Sequence, residues 1–170
     1  MLDTKILLTN LGIEQLIPMQ EKMGKAATQQ GGVVLLSPTG SGKTLAYLLP
    51  LVSLVNPTND ALQAAVVLPT RELAQQSEDV LKRMKTGLRS MALYGGRPAM
   101  DEHRIMRELK PQIVFATPGR LLDHLGKENL SPYAVKSLVI DEFDKCLELG
   151  FQEEMESLLK YFTKATHCWL

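Results

Sequence analysis

The chain has 170 residues and balances 19 Lys and Arg against 19 Asp and Glu, so its formal net charge is zero. Apolar residues make up 45 % and charged residues 22 %, the composition of one soluble globular domain with a real core, which excludes collagen-like and low-complexity classes. The balance holds in both halves (8 positive and 7 negative up to residue 85, 11 and 12 after it), so bulk charge gives no reason to expect nucleic-acid binding.

In chain order, the residues before Val33 read as helical pieces broken by Gly12, Pro18 and the pair Gly31-Gly32. Short, almost unbroken apolar runs at 33–36, 65–68, 91–94, 113–116 and 138–140 predict strands covered by helices on both faces. Amphipathic stretches lie between them. Leu73, Ser77, Val80, Leu81 and Met84 share one helical face, with Glu72, Gln75, Glu78, Asp79 and Lys82 opposite. Met155, Leu158, Leu159 and Phe162 follow the i, i+3, i+4, i+7 rule, and Met84, Met100, Met106 and Met155 read as core filler. Pro50 predicts a kink in the helix it interrupts, and residues 56–60 form the clearest loop. Strand and helix in repeated alternation predict a three-layer α/β/α domain around a mostly parallel sheet.

Cys146 and Cys168 form no C-x-x-C pair and read as small apolar packing residues, which suits a reducing, cytoplasmic setting. His103, His124 and His167 lack metal-ligand spacing. No run approaches the ~18–20 apolar residues of a membrane span, and the start of the chain has no signal-peptide core. Residues 166–170 look like the opening of one more buried strand, so the chain is expected to be part of a longer protein.

The strongest motif is Ser37-Pro38-Thr39-Gly40-Ser41-Gly42-Lys43-Thr44, after an apolar run and before a helical segment. Gly40 and Gly42 let backbone N–H groups turn inward on phosphate oxygens, and the helix that follows aims its positive end there. Lys43 supplies a point charge to the β- and γ-phosphates, and the Thr44 hydroxyl is a Mg²⁺ ligand. Position 37 is Ser where the strict pattern has Gly. An apolar strand then ends in Asp141-Glu142. Asp141 at the strand tip is placed to hold Mg²⁺ through water, and Glu142 to orient and deprotonate an attacking water. These residues together point to Mg²⁺-dependent hydrolysis of a nucleoside triphosphate.

The remaining motifs narrow this reading. Asp141-Glu142-Phe143-Asp144, Pro69-Thr70-Arg71-Glu72-Leu73-Ala74, Gly95-Gly96, Thr117-Pro118-Gly119-Arg120 and the segment from Gly12 to Gln20 stand in the order seen in DEAD-box ATP-dependent RNA helicases. The chain resembles the N-terminal RecA-like domain of that family across residues 12–151. The resemblance implies ATP and Mg²⁺ as cofactors and RNA as partner, recognised through its backbone whatever the sequence. It makes Gln20 the reader of adenine, Ser37, Pro38, Thr39, Gly40, Ser41, Gly42, Lys43 and Thr44 the phosphate cradle, and Asp144 the link to a downstream Ser-Ala-Thr motif. It gives RNA contacts to Pro69, Thr70, Arg71, Gly95, Gly96, Arg97, Thr117, Gly119 and Arg120. It also implies a second RecA-like domain, without which this stretch is expected to be a monomer that binds nucleotide weakly and barely hydrolyses it.

Each piece alone has a plainer reading: Arg71 and Glu72 as a surface pair worth under ~1 kcal/mol, Gly95-Gly96 as a tight turn, Thr117-Pro118 as a strand exit and helix N-cap. The order of the motifs carries the inference. Departures from the family pattern are Phe143 in place of Ala, and Leu16 and Ile17 where Pro and a hydroxyl residue are usual. Rival readings are a DNA-directed helicase, a non-catalytic RNA-binding scaffold with a vestigial ATP site, and a small-molecule kinase. The intact Lys43, Thr44, Asp141 and Glu142 disfavour the scaffold, and no substrate lid is visible for the kinase.

Overall fold

The computed structural model describes residues 3–29, 31–38, 40–96 and 99–170, with the side chains of 99–101 left aside. The pattern-based expectations for Thr39, for Arg97 and for the Met100 side chain lie outside the described residues. Among the described residues six strands form one sheet: β1 (Gly31–Val33), β2 (Ala64–Val67), β3 (Ser90–Leu93), β4 (Ile113–Ala116), β5 (Ser137–Ile140) and β6 (His167–Trp169). Their order across the sheet is β1-β6-β5-β2-β4-β3, and every pairing is parallel. All strands therefore exit at the same edge, where ligands of open α/β sheets bind.

Among the described residues eight helices flank the sheet: α1 (Thr4–Leu11), α2 (Pro18–Ala26), α3 (Lys43–Leu54), α4 (Arg71–Arg83), α5 (Ala99–Leu109), α6 (Pro118–Gly126), α7 (Phe143–Glu148) and α8 (Gln152–Tyr161). The two-residue period of a strand sorts the core into two layers. Ala64, Val66, Ile113, Phe115 and Val139 pack with α1 to α4, among them Leu7, Met23, Leu48, Leu51 and Leu81. Ala65, Val67, Val114, Ala116, Leu138 and Ile140 face the other way, onto Met106, Leu121, Leu125, Cys146, Met155 and Leu158 of α5 to α8. Each fully buried large side chain contributes about 1.5–3 kcal/mol by leaving water.

Gly12, at φ +72°, ends α1 in the left-handed region, and Pro18 opens α2, so these residues punctuate the helices as their chemistry dictates. Helix α3 runs from Lys43 to Leu54 with Pro50 inside it.

Three expectations are corrected. The first strand spans Gly31–Val33 and not 33–36. Its backbone ladder to β6 continues, Leu35 N–H donating to the Leu170 carbonyl at 2.8 Å, but the pleat turns Val34 and Leu36 to a face that no described helix covers, leaving them 64 % and 91 % exposed. Glu78, placed by periodicity on the solvent side of α4, is buried, accepts a hydrogen bond from Ser90 Oγ at 3.2 Å and pairs with Lys82 at 3.0 Å. Leu159 faces solvent, while Met155, Leu158 and Phe162 carry the apolar face of α8 alone.

Candidate nucleotide site and nucleic-acid face

The loop between β1 and α3 is shaped by glycines. Gly40 and Gly42 sit at φ +79° and +90°, a region that side-chain-bearing residues rarely occupy. Gly42 also forms the N-cap of α3 without a side-chain cap, so the first amides of that helix are not consumed by a hydroxyl or carboxylate. A Cβ at Gly42 would stand 2.8 Å from Gln20 Nε2, so a side chain here would push that amide aside in addition to straining the backbone.

Gln20 clamps the loop from outside. Its Nε2 donates to the Gly42 carbonyl at 3.2 Å, and its Oε1 accepts from the Ile17 N–H at 3.1 Å. The buried amide thereby ties the start of α2 to the start of α3, a role that its spacing in the sequence does not reveal. Ser37 Oγ and Ser41 Oγ share a hydrogen bond across the loop. Lys43 Nζ donates to the carbonyls of Ser37 at 2.8 Å and Pro38 at 3.4 Å, and lies 3.4 Å from Glu142 Oε1.

Asp141 follows the last residue of β5, and its N–H donates to the Val67 carbonyl at 2.9 Å, which fixes it beside β2. Burial, reinforced by the neighbouring Glu142 charge, pushes its carboxyl above the ordinary range, with Lys43 acting in the opposite direction. Glu142 behaves differently. A hydrogen bond from Lys145, at 2.8 Å, holds its carboxyl below the usual range, and Lys43 adds to this against the cost of burial. Its backbone is left-handed (φ +53°), a conformation that costs a non-glycine residue about 1–3 kcal/mol and turns the chain sharply into α7. Phe143, the departure from the family pattern, stands 37 % exposed at the rim of a cavity of about 510 Å³ that Lys43, Asp141, Glu142 and the exposed Asp144 also line.

Beneath this cavity lies Tyr47, one helical turn after Lys43. Its buried hydroxyl donates to Ser77 Oγ on α4 at 3.2 Å, and burial followed by the Asp141 charge raises its pKa. Among the described residues no cluster of three or more His, Cys, Asp or Glu makes a metal cage. The Thr44 hydroxyl and the Asp141 carboxylate are hard oxygen donors, and the crowding of Asp141 against Glu142 is negative charge that a dication would neutralise. That donor set fits Mg²⁺, which keeps several waters and needs only one or two carboxylates besides phosphate.

The other motifs stand along the same edge, because strand order β5-β2-β4-β3 sets Asp141, Pro69, Thr117 and Gly95 at neighbouring exits. Pro69 is buried; Thr70 caps α4, its hydroxyl accepting from Leu73 N–H at 3.3 Å. Arg71 and Glu72 form an exposed pair at 2.6 Å. Gly95 and Gly96 are exposed, Gly96 at φ +99°. Thr117 occupies the N-cap position of α6 without a side-chain capping bond, Pro118 takes the first turn, and Gly119 is exposed. Arg120 turns inward: its Nε donates to Glu102 Oε2 at 2.8 Å, and its Nη1 lies 3.6 Å from Asp123.

Thus the fold gathers Lys43, Asp141 and Glu142 at one cavity, with Thr44 next to Lys43 in the first turn of α3, and Thr70, Gly95, Gly96, Thr117 and Gly119 along the remaining strand exits. Sequence reasoning misses Tyr47, Lys145, Glu102 and His124 as members of these networks. Helical spacing could have found the first two, at i+4 from Lys43 and i+3 from Glu142. Nothing local marks the others.

Comparison with known proteins agrees with this geometry. The family model described as DEAD/DEAH box helicase matches residues 17–169. The ATP-dependent RNA helicase CshA of Listeria monocytogenes is 38 % identical over 165 residues, a match that covers 94 % of this chain and 31 % of CshA. A DEAD box protein from the hyperthermophile Methanococcus jannaschii has a crystal structure that superimposes with TM-score 0.89 at 31 % identity, over 99 % of this chain and 47 % of that one. Mss116p, in a structure bound to ssRNA and AMP-PNP, gives TM-score 0.88 at 30 % identity, over 99 % of this chain and 38 % of its own. The chain spans about a third of the length of the curated relative it matches, and no helix among its described residues is long and apolar enough to cross a membrane. With a family model matched over most of its length, on the fold and motifs just described, the chain belongs to the DEAD/DEAH box helicase family.

Proposed function

We propose that this chain is the ATP-binding half of an RNA-dependent ATPase that unwinds short RNA duplexes or remodels RNA–protein complexes. The observation that carries the reading is the meeting of Lys43, Asp141 and Glu142 at the mouth of a glycine-shaped loop, with Lys43 Nζ on the neutral carbonyl of Ser37 at 2.8 Å. A carbonyl is a weaker partner for an ammonium than a phosphate oxygen, so Lys43 passes to the β- and γ-phosphates when nucleotide enters. The uncapped first turn of α3 adds its amides to the same anion. Gln20, besides its two backbone bonds, keeps one N–H and one lone pair, the donor and acceptor that adenine N7 and N6 require.

Thr44 and Asp141 would hold Mg²⁺, which when bound neutralises phosphate charge. Glu142, kept ionised by Lys145 and Lys43, accepts the proton of the attacking water. RNA lies across the strand exits, against the turns at Thr70-Arg71, Gly95-Gly96 and Thr117–Gly119, through sugar and phosphate contacts. The relatives' greater length supports a second RecA-like domain in cis, closing over ATP and RNA to complete the site. Alone, the chain is a cytosolic monomer with weak nucleotide affinity and almost no turnover, since an arginine finger from outside is worth ~10³–10⁵ in rate where it is used.

Calorimetry with ADP tests the reading. Lys43→Ala is expected to weaken binding by at least about 100-fold, some 2.7 kcal/mol. Unchanged affinity would refute the assignment of Lys43, and RNA unwinding by residues 1–170 alone would refute the need for a second domain.

A further inference from the structure

Away from the nucleotide cavity, one group of polar side chains is buried as completely as any apolar core. Glu102 on α5 is 1 % exposed and His124 on α6 is 0 % exposed. A single carboxylate oxygen, Glu102 Oε2, accepts from Arg120 Nε at 2.8 Å and lies 2.9 Å from His124 Nε2. An oxygen that already serves Arg120 offers no proton, so Nε2 must be the donor. On the far side of the ring, Asn129 Nδ2, which can only donate, meets His124 Nδ1 at 3.2 Å, so Nδ1 is the acceptor. In this arrangement His124 donates through Nε2 and accepts at Nδ1, and Arg120 supplies a cation against the Glu102 carboxylate. The second oxygen, Glu102 Oε1, is buried with no hydrogen-bond partner among the described residues. A half-satisfied buried carboxylate is expensive, and stability by itself favours an apolar residue there.

Position explains its presence. Helix α5 follows the exposed Gly95-Gly96 turn, and α6 begins at Thr117-Pro118, two turns that leave the adjacent strands β3 and β4. Glu102 joins α5 to α6 through its bonds to Arg120 and His124, and Arg120 directly follows Gly119. We propose that Glu102 is a positioning residue that locks the Gly95-Gly96 and Thr117–Gly119 turns into one rigid face for a nucleic-acid backbone. Arg120 acts through Glu102, orienting the first turn of α6, and not as a ligand of phosphate. This rests on the RNA reading above for its purpose, while the mechanical link between α5 and α6 is separable from it.

The test uses the whole 170-residue chain and Glu102→Gln, with Asn129→Ala as a milder variant that frees only His124 Nδ1. Amide hydrogen exchange is expected to quicken in α5 and at Thr117 and Leu121 together, by about tenfold, with the Ala46 amide of α3 unchanged. In parallel, binding of a fluorescein-labelled oligouridylate is expected to weaken about tenfold with ADP affinity unaffected. Arg120→Gln distinguishes the two roles of the arginine. As a positioning residue it leaves the slope of log K against log salt intact and adds nothing to Glu102→Gln; as a phosphate ligand it flattens that slope by roughly 0.7. Unchanged exchange in both variants, loosening of α6 without α5, or a flattened slope would each overturn the proposal. If the unaltered chain fails to bind the oligouridylate at any salt, the RNA reading falls, and the exchange result alone decides the brace.

Discussion

Two of the chain's pairings of a cation with a glutamate, Lys43 with Glu142 and Arg120 with Glu102, are built on opposite plans. Lys43 meets Glu142 at 3.4 Å, resting mainly on backbone carbonyls, while Glu142 has a second and closer partner in Lys145 at 2.8 Å. Each member can let go of the other without stranding a charge. Arg120 and Glu102 meet at 2.8 Å, with Glu102 at 1 % exposure and its other partner the His124 imidazole, so Arg120 cannot leave without stranding a buried carboxylate. The difference separates a site prepared to exchange partners from a brace that must not. It also supports the reading of Arg120 as a positioning residue and not a ligand, although it stands beside the strand exits.

Removing the cation breaks the two pairs unequally. Arg120→Ala strands the Glu102 carboxylate and is expected to cost about 3–5 kcal/mol in urea unfolding, whereas Lys43→Ala is expected to cost under about 1 kcal/mol. Equal losses would end the distinction. Beneath the exchangeable pair, Tyr47→Phe deletes the donor to Ser77 and is expected to cost about 1 kcal/mol, leaving a buried hydroxyl unmatched. A neutral result there would mean that Ser77 finds another partner.

The smallest effect is electrostatic and has two signs. Asp141, raised by burial and by Glu142, opposes folding at neutral pH, so Asp141→Asn should raise the Tm of the ligand-free chain. That gain fades as pH falls through the raised Asp141 range toward ordinary aspartate values, where the wild-type carboxyl is protonated in both states. Glu142, lowered by Lys145 and Lys43, does the reverse: Glu142→Gln should lower Tm above the ordinary glutamate range, and the deficit vanishes as pH falls through the depressed Glu142 value. Thermal scans between pH 3 and 8 read both; parallel curves for the two variants would contradict the assigned shifts.

Much of the candidate nucleotide site is legible in the sequence, since its residues are contiguous. Ser37 to Thr44 make one loop, and Asp141-Glu142 follow one apolar run, so spacing alone predicts what each can touch. The buried polar residues escaped notice because period-based reading assigns every charge to water. Glu78 and Glu102 sit on helices whose opposite faces are apolar, and only the arrival of Ser90, Arg120 and His124 from elsewhere in the chain allows their burial. The misplaced first strand has a related cause. Val34 and Leu36 are apolar enough for a sheet interior, but whether a helix covers them depends on residues far from both.

By itself, the sequence determined the α/β alternation, the glycine-shaped loop before α3 and the acidic strand end, because each rests on contacts within a few residues. Tertiary structure decided the rest: that β6 enters between β1 and β5, that Gln20 clamps Gly42, and that a motif arginine turns inward to a buried glutamate. Those outcomes hang on which distant partner reaches a polar group first and removes it from water. That competition is energetic and three-dimensional, and it leaves no period in the chain.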